Sequence, residues 1–217
     1  MKQSLINNNS NELILFFAGW GCDEYEFAHL KTEKDVLILY DYQDLNLDFD
    51  FSRYKNIQML SFSAGVFIGS VFKHDFNICK KVAIGGNPYL FDEKLGLSKK
   101  VIKFLKNINE ENCDDFAKNY LVMTDEEYKI FNGGTRSVES CRQELNSLEE
   151  IYLSQKENIN DVYDFAIIGD SDPLFNPKSQ INYYGSRCRI VPNARHNVFF
   201  RVKSYEDIFD MANLLNS

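Results

Sequence analysis

Six short apolar runs constrain this chain more than any other feature. They are ELILFFAG at 12–19, DVLILYD at 35–41, NIQMLSFS at 56–63, KVAIGG at 81–86, DFAIIGD at 164–170 and CRIVPN at 188–193. Each has about the length of a strand and is closed by Gly, Asp, Asn or Ser. A strand with one wet face alternates apolar and polar residues. Nearly continuous apolarity implies burial on both faces, as in a parallel sheet held between helices. Between Phe91 and Asp161 the texture changes, and apolar residues fall at helical spacing. Val101, Leu105 and Ile108 form one such set, and Leu145, Leu148 and Tyr152 another. Asn112 and Thr124 are expected helix N-caps, with acidic first turns behind them. The expected fold class is α/β: a mostly parallel sheet flanked by helices, residues 1–217 forming one domain. A helical cap is expected as an insertion over 91–161, with Gly133-Gly134 as a turn inside it. A final helix is expected over YEDIFDMANLLN, residues 205–216.

Bulk properties exclude several classes. The net charge is −8, which argues against nonspecific nucleic-acid binding. The five cysteines, Cys22, Cys79, Cys113, Cys141 and Cys188, are scattered and never in C-x-x-C spacing. They read as reduced thiols rather than a disulfide frame or a zinc site. The N-terminus MKQSLINNNSNE lacks the apolar core of a signal peptide. No apolar run reaches the roughly 18 residues of a membrane span. A cytoplasmic monomer without membrane or nucleic-acid partners, metal or cofactor is expected.

The junction SFSAGVF at 61–67 carries the first chemical signal. Ser63, with Ser61 before it and Gly65 after it, has nearly the G-x-S-x-G spacing of a nucleophile elbow. Alone that is weak, because a serine beside glycine at a strand end is ordinarily a turn. Two later segments strengthen it. IIGDSDPLFNP at 167–177 is a strand end followed by two acids, and NARHNVFF at 193–200 places His196 just after the last strand. The order Ser, Asp, His is that of the α/β-hydrolase triad. The other two histidines sit elsewhere: His29 is expected in an early helix and His74 on the elbow helix. His196 is therefore expected to take the proton from Ser63, since reacting groups in open α/β sheets gather at the strands' C-terminal ends. Asp170 and Asp172 compete for the acid. Asp172 is favoured, because the chain can turn past Gly169 before presenting it and Pro173 stiffens the residues after it.

An oxyanion hole needs N–H donors aimed at developing charge. Ala64, just after the nucleophile, and Trp20, in the loop FFAGWGCD after the first apolar run, are the expected donors. Gly19 lets that loop approach a substrate. Gly19, Asn87 in the GGNP run and Tyr40 beyond another strand are expected to touch substrate.

LFFAGWGCD, LSFSAGVF, GGNPY and GDSDPLF…RHNVFF together resemble the BioG type of pimeloyl-acyl-carrier-protein methyl ester esterase, an α/β hydrolase of biotin synthesis. The resemblance implies Ser63 as nucleophile, Asp172 as acid, His196 as base, and Trp20 with Ala64 as oxyanion donors. It implies removal of a methyl ester from a pimeloyl group borne by an acyl carrier protein, with no cofactor. Ser61 departs from the usual hydrolase glycine. A general carboxylesterase or thioesterase is an alternative, and a hydrolase-like binding protein without turnover is another. An acidic carrier needs a basic face on this acidic chain. Lys99, Lys103 and Lys106, one side of SKKVIKFLKN with Lys100 nearby, are the candidates. Arg136 and Arg142 are the second choice.

Overall fold

The computed structural model describes residues 1–131 and 134–213. Gly133 of the expected Gly133-Gly134 turn, and Leu214 to Asn216 of the expected last helix, lie outside the described residues. All six expected strands form: β2 (Glu12–Phe17), β3 (Asp35–Tyr40), β4 (Asn56–Phe62), β5 (Lys80–Ile84), β6 (Phe165–Gly169) and β7 (Cys188–Val191). A seventh, β1 (Lys2–Ile6), was not legible from apolarity. Its five residues KQSLI lie at the edge with no residue fully buried. The sheet order is β1-β3-β2-β4-β5-β6-β7, and only β1 runs antiparallel to its neighbour.

The continuous apolar runs follow from this geometry. Successive side chains of a strand point to opposite faces. Leu13, Leu15 and Phe17 enter one core, and Ile14 and Phe16 enter the other. The first core is completed by α1 (Ala64–Val71) and α6 (Pro177–Tyr184) and by helices between β5 and β6. The second is completed by α7 (Tyr205–Asn213), which contributes Tyr205, Ile208, Phe209 and Ala212.

The chain leaves β2 toward β3 on one side, then returns to β4 on β2's other side. That reversal opens a crevice at the C-terminal ends of β2 and β4, where open α/β sheets bind ligands. Ser63 sits there, between β4 and α1. The approach of α1 to β2 is so close that a Cβ on Gly65 would lie 2.2 Å from the Phe17 carbonyl oxygen and 2.5 Å from that of Ala18. Only glycine fits. Ser61 is a fully buried β4 residue rather than part of the crevice.

Between β5 and β6 stand α2 (Lys99–Lys106), α3 (Cys113–Phe116), a π-helical turn (Ala117–Leu121), α4 (Asp125–Phe131) and α5 (Val138–Gln155). Val101, Leu105, Ile108, Leu145 and Leu148 are buried, as their spacing predicts. Thr124 caps α4: its hydroxyl accepts the Glu127 N–H, and Glu127 accepts the N–H groups of Met123 and Thr124 in return. Asn112 does not cap α3, because its side chain accepts the Asn109 N–H behind it. His74 also departs from expectation. The backbone turns extended at Phe72, so α1 ends at Val71 and His74 lies exposed beyond it. No helix among the described residues is long and apolar enough to cross a membrane.

Candidate active site

Ser63 is placed by a strained turn. Its backbone has φ 54° and ψ −120°, a region that non-glycine residues rarely adopt. The Ser63 N–H donates to the Ile84 carbonyl at 2.9 Å, which ties the turn to the end of β5. The strain lifts the hydroxyl out of the sheet, where Oγ meets His196 Nε2 at 2.8 Å.

His196 arrives from the loop after β7. That loop lies directly against the end of β6, because a Cβ on Gly169 would come within 2.2 Å of the Arg195 carbonyl oxygen. The close approach sets His196 Nδ1 2.9 Å from Asp172 Oδ2. The other oxygen of Asp172 accepts the N–H groups of Leu174 (2.8 Å) and Phe175 (3.1 Å), so a turn fixes the carboxylate. A carboxylate only accepts hydrogen bonds, so Nδ1 carries the proton and Nε2 presents its lone pair to the serine hydroxyl. Stacking on Phe175, with planes 7° apart, holds the ring. Asp170 is not part of this chain of contacts. It is exposed and accepts the Ser171 hydroxyl, and bonds from the Asn193 and Ala194 backbone hold its carboxyl below the ordinary range.

Trp20 and Gly19 line the same cavity as Ser63, Ala64 and His196. The Trp20 indole N–H is not free to serve an oxyanion, because it donates to the Cys141 carbonyl at 2.6 Å. Two backbone N–H groups of cavity-lining residues are not committed in this way. Ala64 opens α1, where an N–H has no partner within the helix. No hydrogen bond among the described residues engages the Trp20 backbone N–H.

Two expected contact residues lie elsewhere. The Asn87 side chain closes a turn, donating to the Leu95 carbonyl and accepting the Tyr89 N–H, and does not face the cavity. Tyr40 follows Val36 and Ile38 toward the second core, away from the cavity. The cavity, of about 230 Å³, is mostly apolar. Its walls include Leu90, Leu105, Phe116, Leu145 and Leu148. Cys22 and Cys141 also line it. Burial pushes the Cys22 thiol well up and that of Cys141 to about 11, so neither supplies a thiolate at neutral pH.

Sequence reasoning missed what holds the Trp20 loop. The Arg136 side chain is only 5% exposed and donates to Glu144 Oε2 (2.5 Å), Asp41 Oδ1 (2.8 Å) and the Ser140 hydroxyl (2.9 Å). Glu144, on α5, accepts the Gly21 N–H at 2.9 Å on one oxygen and the Tyr42 N–H at 3.1 Å on the other. Burial pushes Glu144 up, while the guanidinium and both N–H groups favour its ionised form. The loop that carries Trp20 is therefore pinned to a helix more than a hundred residues away.

The family described as "Pimeloyl-ACP methyl esterase BioG" matches residues 1–208. An uncharacterized protein of Haemophilus influenzae is 30% identical over 217 residues, which span 97% of this chain and all of that one. The crystal structure of BioG from the same organism superposes with a TM-score of 0.86 at 28% identity, covering 97% of this chain and 100% of that one. A malonyl-[acyl-carrier protein] O-methyltransferase of Bacteroides fragilis is 34% identical over 184 residues, 82% of this chain but 37% of that protein. A lipase-esterase related protein from Clostridium acetobutylicum shares the fold, with a TM-score of 0.64 at 17% identity over 99% of this chain and 98% of that one.

Removing one partner of a buried ion pair leaves the other charge uncompensated, at a cost of about 3–5 kcal/mol. Glu144→Leu also unpairs two backbone N–H groups, so a loss of that size is expected in urea unfolding. The double variant Arg136→Met/Glu144→Leu should lose less than the sum of the two single variants. Strict additivity would show that the pair is not coupled.

Proposed function

We propose that this chain, which belongs to the BioG family of pimeloyl-ACP methyl esterases, frees the terminal carboxylate of a pimeloyl group on an acyl carrier protein by serine catalysis. The chain is a carboxylic ester hydrolase with an α/β-hydrolase fold. The observation that carries the serine reading is the 2.8 Å contact between Ser63 Oγ and a histidine nitrogen whose partner nitrogen donates to a buried carboxylate.

The steps follow from that contact. Ser63 Oγ attacks the carbonyl carbon of the methyl ester, and His196 Nε2 takes its proton. Asp172 holds the resulting imidazolium and fixes its tautomer. The backbone N–H groups of Trp20 and Ala64 receive the negative charge that grows on the carbonyl oxygen. The tetrahedral centre collapses, methoxide takes the proton from His196 and leaves as methanol. A water then attacks the acyl-enzyme carbonyl, giving a proton to His196. The bond to Ser63 Oγ breaks, Oγ takes that proton back from His196, and the water oxygen stays in the released carboxylate. The methylenes of the pimeloyl group lie along Leu90, Leu105, Leu145 and Leu148 in the apolar part of the cavity. The helices between β5 and β6 act as a cap over the nucleophile, and residues 91–161 form its insertion in a single domain.

The carrier docks on the exposed side of α2. Lys103 stands there with Lys99 and Lys106, opposite the buried Val101 and Leu105. Lys99 pairs with Glu93 at 2.9 Å and Lys106 with Glu149 at 2.6 Å, so part of this positive charge is already matched within the chain. Arg136 is committed to Asp41 and Glu144 and is unavailable to a carrier.

Ser63→Ala should reduce turnover of short p-nitrophenyl esters by on the order of 10⁴-fold or more, with the fold retained by circular dichroism. A variant keeping a tenth of the wild-type rate would exclude Ser63. Asp172→Asn should lower kcat strongly and Asp170→Asn only slightly, and the reverse ranking would move the acid. Lys99→Glu/Lys103→Glu should lower kcat/KM for the carrier-linked ester at low salt, and salt should shrink the difference. Unchanged carrier kinetics would place docking elsewhere.

A further inference from the structure

One polar side chain in the cavity wall has no role in the esterase steps. Glu26 belongs to a short 3-10 turn, Glu24–Phe27, that follows the Trp20 loop. It is only 4% exposed, lines the same cavity as Ser63, and its Oε2 has no hydrogen-bond partner among the described residues. Leaving such an atom unpaired in the interior is costly. The surroundings oppose a carboxylate there more than they favour it. From its own segment, Asp23 and the Cys22 thiol face it. From α5 and the residues before it, Glu144, Cys141 and Arg136 face it, and Arg136 is already shared between Asp41 and Glu144.

We infer that Glu26 is a specificity residue, a neutral carboxylic acid whose O–H donates a hydrogen bond to a second, uncharged carbonyl on the bound ester. The inference rests on the serine esterase reading of the same cavity. A chain of methylenes alone would leave Oε2 unsatisfied, whereas an acyl group with a carbonyl at its far end would satisfy it. In the carrier-linked ester that group is the thioester or the pantetheine amide beyond it. Burial is the main cause that raises the Glu26 carboxyl to about 8, with Asp23 and Glu144 adding to it and the Cys22 thiol and Arg136 opposing. The donor is thus present below that pH and lost above it, when the group becomes a charged acceptor.

The test compares two small methyl esters, dimethyl pimelate, which carries a second neutral carbonyl, and methyl octanoate, which does not. The quantity read is the ratio of their kcat/KM values. Steps shared by both esters, including proton transfer through His196, cancel in it. In wild type the ratio should favour dimethyl pimelate at pH 7 and fall as pH rises through about 8. Glu26→Leu should lower the pH 7 ratio by roughly three- to tenfold, the worth of one hydrogen bond. Glu26→Gln keeps an N–H donor, so its ratio should stay high and no longer change with pH. An unchanged ratio in Glu26→Leu, or the same pH dependence in Glu26→Gln as in wild type, would overturn the inference. Failure of wild type to hydrolyse either ester would instead count against the esterase reading.

Discussion

The backbone at Ser63 is the constraint on which the rest depends. A residue with a side chain is held at positive φ between β4 and α1. Such a conformation costs of order 1–3 kcal/mol and persists only when its surroundings leave no alternative. Here β4 is hydrogen-bonded on both sides, to β2 and β5, and α1 lies so close to β2 that only Gly65 fits between them. The chain cannot relax the turn without separating helix and sheet. The strain is what exposes Oγ and, in the same turn, frees the Ala64 N–H at the start of α1.

The helices between β5 and β6 take part in building the site. Through Glu144 and the Cys141 carbonyl, α5 holds the Trp20 loop. Arg195, next to His196, donates to the carbonyl of Lys118 in the π-helical turn and to that of Val122 just after it. Arg201, just beyond, pairs with Glu127 of α4 at 3.1 Å. Both loops that flank Ser63 are thus anchored in the segment whose apolar side chains wall the cavity. A change in that wall reaches the N–H groups and the imidazole through a few hydrogen bonds, and linked packing of this kind makes such effects non-additive.

The parts of this arrangement that could be read in the sequence are those with a local signature. Double-faced burial writes itself as continuous apolar runs, and six strands were legible that way. β1 was not, because an exposed edge needs no such run. Ser63, Asp172 and His196 stood out because each follows a strand end, where the sheet topology collects reacting groups. Proximity to a strand end does not fix where a side chain points, which is why Tyr40 and Asn87 were misplaced. Tyr40 keeps the two-residue phase of Val36 and Ile38, and Asn87 spends its amide on a turn. Trp20 shows the same limit, since a sequence does not tell an indole donor from a backbone one. Arg136, Glu144 and Asp41 were invisible as a group. Nothing local relates residues that lie 95 and 123 positions from their partners. Glu26 could be seen only once its neighbours and its empty hydrogen-bonding position were known.

In the proposed function, the strained turn and the His196–Asp172 pair make one hydroxyl, that of Ser63, a nucleophile. A fluorophosphonate tests this directly, because it phosphonylates an activated serine and leaves an ordinary one untouched. Intact-mass measurement followed by peptide mapping of the labelled protein should show a single adduct, on Ser63. An adduct on any other residue, or no adduct on folded protein, would contradict the account.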